Sequence, residues 1–246
     1  MTTVVLAEWT KLRTIRSTVW TLALTFLISV GLAAVSGFSV RNAYETGNAA
    51  MVRPDFDPVY SGFVGLLYGQ LALIAFGALL VTSEYGTGTV RATLAAVPRR
   101  GLAYGGKLLV GCGAALVVAV ATVLVSWPVN QAGLGPYGTS MAAPGVPRAL
   151  AGAAVYLTLV CLFSAGVAAT LRSTALTLGI LIPLFFIVGP VLSRIPGVAA
   201  VARYLPDQAG QRLMDTADPL PALLVLTGWT AAAVGAGYAL VRRRDV

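Results

Sequence analysis

Thr82 to Lys107 reads TSEYGTGTVRATLAAVPRRGLAYGGK and holds five charged residues, Glu84, Arg91, Arg99, Arg100 and Lys107. It joins two long uncharged runs in a chain where charged residues make up only 11%. A membrane interior cannot hold five charges so close together, so the stretch sits in water between two membrane spans. Its punctuation is helical. Thr87 or Thr89 caps a short helix by accepting from the first free backbone N–H groups. Val90 to Val97 then gives about two turns, and Pro98 stops them, because the residue before a proline is pushed out of the α region. Leu94 and Val97 share one face of that helix, with Arg91 near it. The spacing therefore predicts a short, basic, partly apolar helix held at the tips of two membrane helices.

Outward from this connector, the composition excludes a soluble fold. Hydrophobic residues make up 57% of the 246 residues, and mean hydropathy is +0.83. Uncharged runs approach or reach the ~20 residues that cross a bilayer as a helix. A barrel would show short alternating segments instead. The chain thus reads as one all-α transmembrane domain, 1–246, with six spans near 19–38, 61–82, 108–127, 149–171, 174–191 and 220–241. Cys112 and Cys161 fall inside spans beside small apolar residues, where cysteine behaves as a small hydrophobe.

The flanks of the spans carry further detail. Met1 to Ser17 places Val5, Trp9 and Leu12 at helical spacing among Glu8, Lys11, Arg13 and Arg16, which predicts an interfacial helix with Trp9 at headgroup depth. Its rival, a signal peptide, is opposed by the following apolar run, which exceeds the ~7–15 residues of such a segment. Pro128 is expected to end the third span. Arg172-Ser173 makes a very short turn, and Pro183 and Pro190 are expected to kink or unwind the fifth span. Ser193 to Pro219 has an apolar half broken at Pro206, fit for two short helices dipping back into the outer leaflet.

Basic residues orient the chain. With both ends cytoplasmic, eleven of the seventeen lysines and arginines lie inside, and the six outside are matched by six acids. The whole net charge of +8 then sits on one face. The positive-inside rule and anionic lipid account for that excess, so no nucleic-acid partner is implied.

Catalytic chemistry is poorly provided for. Gly101 to Lys107 matches seven positions of a phosphate-binding loop, but Leu108 replaces the hydroxyl residue that ligates magnesium, and no strand precedes it. Histidine is absent. No acid lies within a predicted span, so there is no ion-coupling carboxylate of the usual kind; the nearest is Glu84 at the inner end of the second span.

Spacing alone favours reading the 82–107 connector as a solvated loop whose arginines set topology. A resemblance points further. An apolar span ending in Ser83-Glu84, then Gly86-Thr87, a short helix and Pro98-Arg99-Arg100 resembles the ABC-2 family of transporter permeases. The likeness extends to the leader with Glu8, Lys11 and Leu12, the six spans and the loop before the last one. The resemblance implies that the connector is a coupling helix that docks on a separate ATPase subunit, with Glu84, Arg91, Leu94 and Val97 as its working residues. It further implies a second copy of this chain or a homologous permease, export as the function, ATP and magnesium bound by the partner alone, and no cofactor or enzyme activity here. Re-entrant helices before the last span would cap the substrate path. The alanine-, glycine- and arginine-rich, lysine-poor composition suggests a high-GC bacterial cell membrane, where such permeases commonly serve antibiotic export or self-resistance.

Uncharged spans imply an apolar or amphiphilic substrate such as a drug, peptide or lipid. By resemblance, the second and fifth spans line its path, with Gly65, Tyr68, Gln70, Phe185 and Phe186 as candidates. The same glycines and aromatics would equally pack helices within one subunit. Glu84 is expected to pair with Arg91, Arg99 or Arg100. The alternative from another class is a non-catalytic membrane scaffold or channel subunit with no ATPase partner.

Overall fold

A computed structural model describes residues 2–47, 56–87, 100–215 and 219–243, and among these every regular element is helical. Helix α1 is Thr2–Thr14 and α2 is Arg16–Glu45, separated by Ile15 in an extended conformation (φ −80°, ψ 110°). A single turn, α3 (Pro58–Ser61), is capped by Asp57, whose Oδ1 accepts from the Val59 N–H at 2.8 Å. Then come α4 (Val64–Thr87), α5 (Arg100–Leu134), α6 (Val146–Leu171) and α7 (Thr174–Pro183). A π-helical turn, Leu184–Val188, leads into α8 (Gly189–Leu192). Two further short helices, α9 (Ala199–Ala202) and α10 (Pro206–Arg212), precede α11 (Leu220–Arg243).

Six of these segments are long and apolar enough to cross a membrane. They coincide with the six uncharged runs of the sequence, and α4 and α6 are the most enclosed. Helix α4 packs between α2 and α6, α5 lies against both α2 and α6, and α11 covers the other side of α6. Close approach at the α2–α4 seam depends on Gly65, where a Cβ would stand 2.1 Å from the Ser29 carbonyl oxygen. Only glycine fits there.

Two helices run further than the sequence suggests. Helix α2 continues to Glu45, its last turn bearing an Arg41 Nε–Glu45 Oε1 ion pair at 2.7 Å. Helix α5 does not end at Pro128 but passes through it to Leu134. Proline removes one backbone donor and crowds one turn, yet the residues around it are anchored from outside the helix. Trp127 Nε1 donates to the Val59 carbonyl at 3.2 Å, Asn130 Nδ2 to Ala33 at 3.0 Å, and Gln131 Nε2 to Pro58 at 2.8 Å. Tertiary hydrogen bonds thus override the local break.

Elsewhere the local signals hold. Arg172 takes a left-handed conformation (φ 53°) between α6 and α7, and Ser173 caps α7 by accepting from the Leu176 N–H at 3.3 Å. Between Pro183 and Pro190 the chain leaves the α pattern, and the Gly189 N–H bonds back to the Leu184 carbonyl. The start of α1 packs on α5, and Tyr238 near the end of α11 meets Tyr104 of α5 with ring centroids 6.5 Å apart. Both ends of the chain therefore gather at one end of the bundle.

Candidate functional site

At that end four charged side chains close a ring. Glu8 and Lys11, three apart on α1, share a helix face and bond at 2.8 Å. Lys11 also bonds Glu84 Oε1 on α4 at 2.8 Å, and Lys107 on α5 bonds the same oxygen at 2.7 Å. Lys107 completes the ring with Glu8 Oε2 at 3.0 Å. The Glu8, Glu84 and Lys107 side chains are only 7%, 13% and 10% exposed, whereas Lys11 is 38% exposed. Two carboxylates facing two ammonium groups leave the ring neutral. That balance is what permits four charges in a nearly dry place, since an uncompensated buried charge is strongly destabilising. Burial pulls the Lys11 pKa down, but hydrogen bonds and attraction from Glu8 and Glu84 outweigh it and hold the ammonium above its ordinary value.

Glu84 thus pairs with Lys107 and Lys11, while the arginines expected from the connector have side chains outside the described residues. The reason is helical geometry: α5 begins at Arg100, and its second turn lifts Lys107 to the level of Glu84, one turn short of the end of α4. Arg91, Leu94, Val97 and Arg99 lie outside the described residues, as do the whole helix expected at Val90 to Val97 and the side chain of Arg100. What is described is the base on which that connector stands. Its two legs, α4 and α5, are tied to each other and to α1 by one ring of charges.

The turn between α6 and α7 meets α4 near the same level. Thr82 Oγ1 and Thr174 Oγ1 are 2.7 Å apart, and the Arg172 guanidinium lies over the Tyr85 ring at 5.2 Å. Beside the ring of charges a cavity of about 450 Å³ opens between α1, α2 and α4, floored by Leu12, Thr18 and Leu80. Gly101 to Lys107, the partial match to a phosphate loop, is continuous helix in α5.

On α1 Glu8 and Leu12 are buried and Val5 is half-buried, while Trp9, expected at headgroup depth, is 45% exposed. The sequence did not single out Glu8 as a functional charge. A Glu-x-x-Lys pair beside Leu12 was the available signal, but its partners lie on other helices.

The five candidate path residues divide. Gly65 faces α2, inside the chain. Gln70 is buried, accepts from the Tyr156 hydroxyl and donates to the Leu67 carbonyl at 2.9 Å. Phe185 is buried with its ring 6.2 Å from that of Phe163. Tyr68 and Phe186 instead face outward, 40% and 44% exposed, and meet edge to face at 5.6 Å. The second and fifth spans are thus neighbours, but only this aromatic pair lies on the surface of the chain. Tyr156 and Asp207 complete the polar interior near this bend, and neither stands out in the sequence.

Among the described residues no three His, Cys, Asp or Glu side chains come together to hold a metal ion. Both cysteines are free thiols, Cys161 buried and Cys112 partly so. No family model matches the chain, and no match was found among curated proteins.

Proposed function

We propose that the chain is the membrane permease subunit of an ABC exporter of the ABC-2 type. It pairs with a second copy or a homologous permease and with separate ATPase subunits that bind ATP and magnesium. It sits in a bacterial cell membrane with both termini cytoplasmic and moves an apolar or amphiphilic substrate outward. The observation that carries this reading is the ring Glu8–Lys11–Glu84–Lys107. A connector that relays force from a docked ATPase needs a rigid base, and here both of its legs are fastened to each other and to α1 by charge-assisted hydrogen bonds, the strong kind. A loop that only set topology would have no use for such a fastening. The exposed Tyr68–Phe186 pair supports assigning the substrate and partner face to the second and fifth spans.

The experiment is reconstitution with the candidate ATPase. Leu94→Asp is expected to abolish assembly, and Glu84→Ala to leave hydrolysis unstimulated. Both variants assembling and stimulating hydrolysis like the parent would overturn the reading. Cysteine labelling fixes the sides: residues placed at Asp57 and Asp215 label from outside intact cells, and one at Arg244 labels only after permeabilisation. Labelling of the Asp57 position only after permeabilisation would reject the orientation.

A further inference from the structure

The opposite end of the bundle holds a carboxyl group with no cation paired to it among the described residues. Asp207 on α10 is 0% exposed. Its Oδ2 accepts from Gln208 Nε2 at 2.7 Å, while Oδ1 is buried with no hydrogen-bond partner. The group is seated in a gap left by Gly189, where a Cβ would stand 1.7 Å from Oδ2. Gly189 closes the π-helical turn of the fifth span, so the carboxyl group docks α10 onto the bend. Three residues on, Gly210 lets α10 press against the Tyr156 ring, whose hydroxyl donates to Gln70. Asp207 thereby touches the bend that carries Phe185 and Phe186 on one side and nears the α4–α6 polar pair on the other.

An ionised carboxylate here would lack the counter-charge that buried ions require. Among the described residues the elements packed on α10 supply none. Helix α6 presents Tyr156, with Arg148 exposed near its start; the 184–192 segment has no titratable side chain. On α11 the titratable residues, Tyr238, Arg242 and Arg243, lie at the far end beside Tyr104. On α10 itself Arg212 is exposed, as are Arg194 and Arg203 of the flanking turns. Tyr60 donates to Gln211 Oε1 of this helix at 3.3 Å, and Asp215, the acid just beyond it, is exposed.

We propose that Asp207 is a proton-binding site, and that its proton is the ligand that holds α10 docked against the bend at Gly189. Burial pushes the Asp207 pKa above its ordinary 3.8, only partly opposed by the Gln208 side-chain hydrogen bond and the dipoles of the adjacent backbone N–H groups. The sign follows. At pH below 3.8 docked and undocked states both carry the proton. As pH rises, the undocked acid ionises first, so docking weakens by about tenfold per pH unit until the raised docked value is passed. Above it, docking stays weak. The site is thus a latch, released by alkaline shift, on the helix that covers the bend.

The test is hydrogen exchange of the purified full chain in lipid nanodiscs across this pH range, corrected for intrinsic exchange. The opening equilibrium of the 206–213 amides is expected to rise about tenfold per pH unit and then level off, while amides in the middle of α6 stay constant. Asp207→Asn, a neutral isostere, is expected to remain docked with no pH dependence. Gly189→Ala, which expels the carboxyl group, is expected to open α10 at every pH. A wild-type opening equilibrium that does not change with pH refutes the latch. So does the same pH dependence in Asp207→Asn. Should the Asn variant fail to fold, the wild-type curve and Gly189→Ala decide the matter.

Discussion

Replacing Lys107 with methionine removes one of two cations from the ring on which the connector stands, while keeping most of the apolar stem. Glu8 and Glu84 are then left with Lys11 alone, and a net negative charge stays in a nearly closed space. Removing one partner from a buried pair typically costs ~3–5 kcal/mol, because the other charge is left uncompensated. Lys11 is 38% exposed, so water softens that cost at one corner of the ring. The lower end of the range, about 3 kcal/mol, is therefore expected. The double variant Glu8→Gln with Lys107→Met restores neutrality, leaving Glu84 with Lys11. It is expected to be more stable than the sum of the single losses by about 1–3 kcal/mol, the coupling of residues in one network. Equilibrium denaturation of the purified chain in mixed micelles measures all three variants against the parent. A loss of under ~0.5 kcal/mol for Lys107→Met, as for an exposed ion pair, would refute the reasoning. So would strict additivity in the double variant.

Further outcomes follow from other contacts. Gly65→Leu is expected to destabilise the chain by ~1–3 kcal/mol or more, since even a Cβ would stand 2.1 Å from the Ser29 carbonyl oxygen; unchanged thermal stability would contradict this packing. Phe186→Ala, at an exposed position, is expected to spare folding and ATPase binding but alter export of hydrophobic compounds, read by resistance assays. Tyr156→Phe leaves the buried Gln70 amide oxygen without its donor and is expected to cost about 1–3 kcal/mol, with Gln70→Leu recovering part of that loss in the double variant. For Lys11 the folded pKa lies above the ordinary 10.5, so its contribution is complete below 10.5 and is lost as pH rises through the folded value. Exchange protection of α1 is expected to fall only in that alkaline window, and Lys11→Met is expected to abolish the step.

The six spans were legible because burial in lipid demands long uncharged runs, and each run stands alone in the sequence. The turn at Arg172-Ser173 and the departure from α geometry between Pro183 and Pro190 were legible for a similar reason: local backbone chemistry decides them. Helix α5 was misjudged at Pro128 because its support comes from Val59, Ala33 and Pro58, all remote in sequence. The same limit hid the partners of Glu84, which lie 23 and 73 residues away. A buried Glu8 looks unfavourable until Lys107 is brought against it. Gly65 and Gln70 looked like path residues because a glycine face and a lone amide suit a cavity as well as a helix seam. The contacts that the two residues make, with Ser29 and with Tyr156, come from helices remote in sequence.

Purification of the tagged chain from its native membrane, followed by assay of bound ATPase, tests the central claim most directly. The account predicts a nucleotide-hydrolysing subunit in one-to-one amount, lost in Leu94→Asp while the chain itself stays folded. A chain that purifies without any ATPase, and behaves identically with Leu94→Asp, would contradict it.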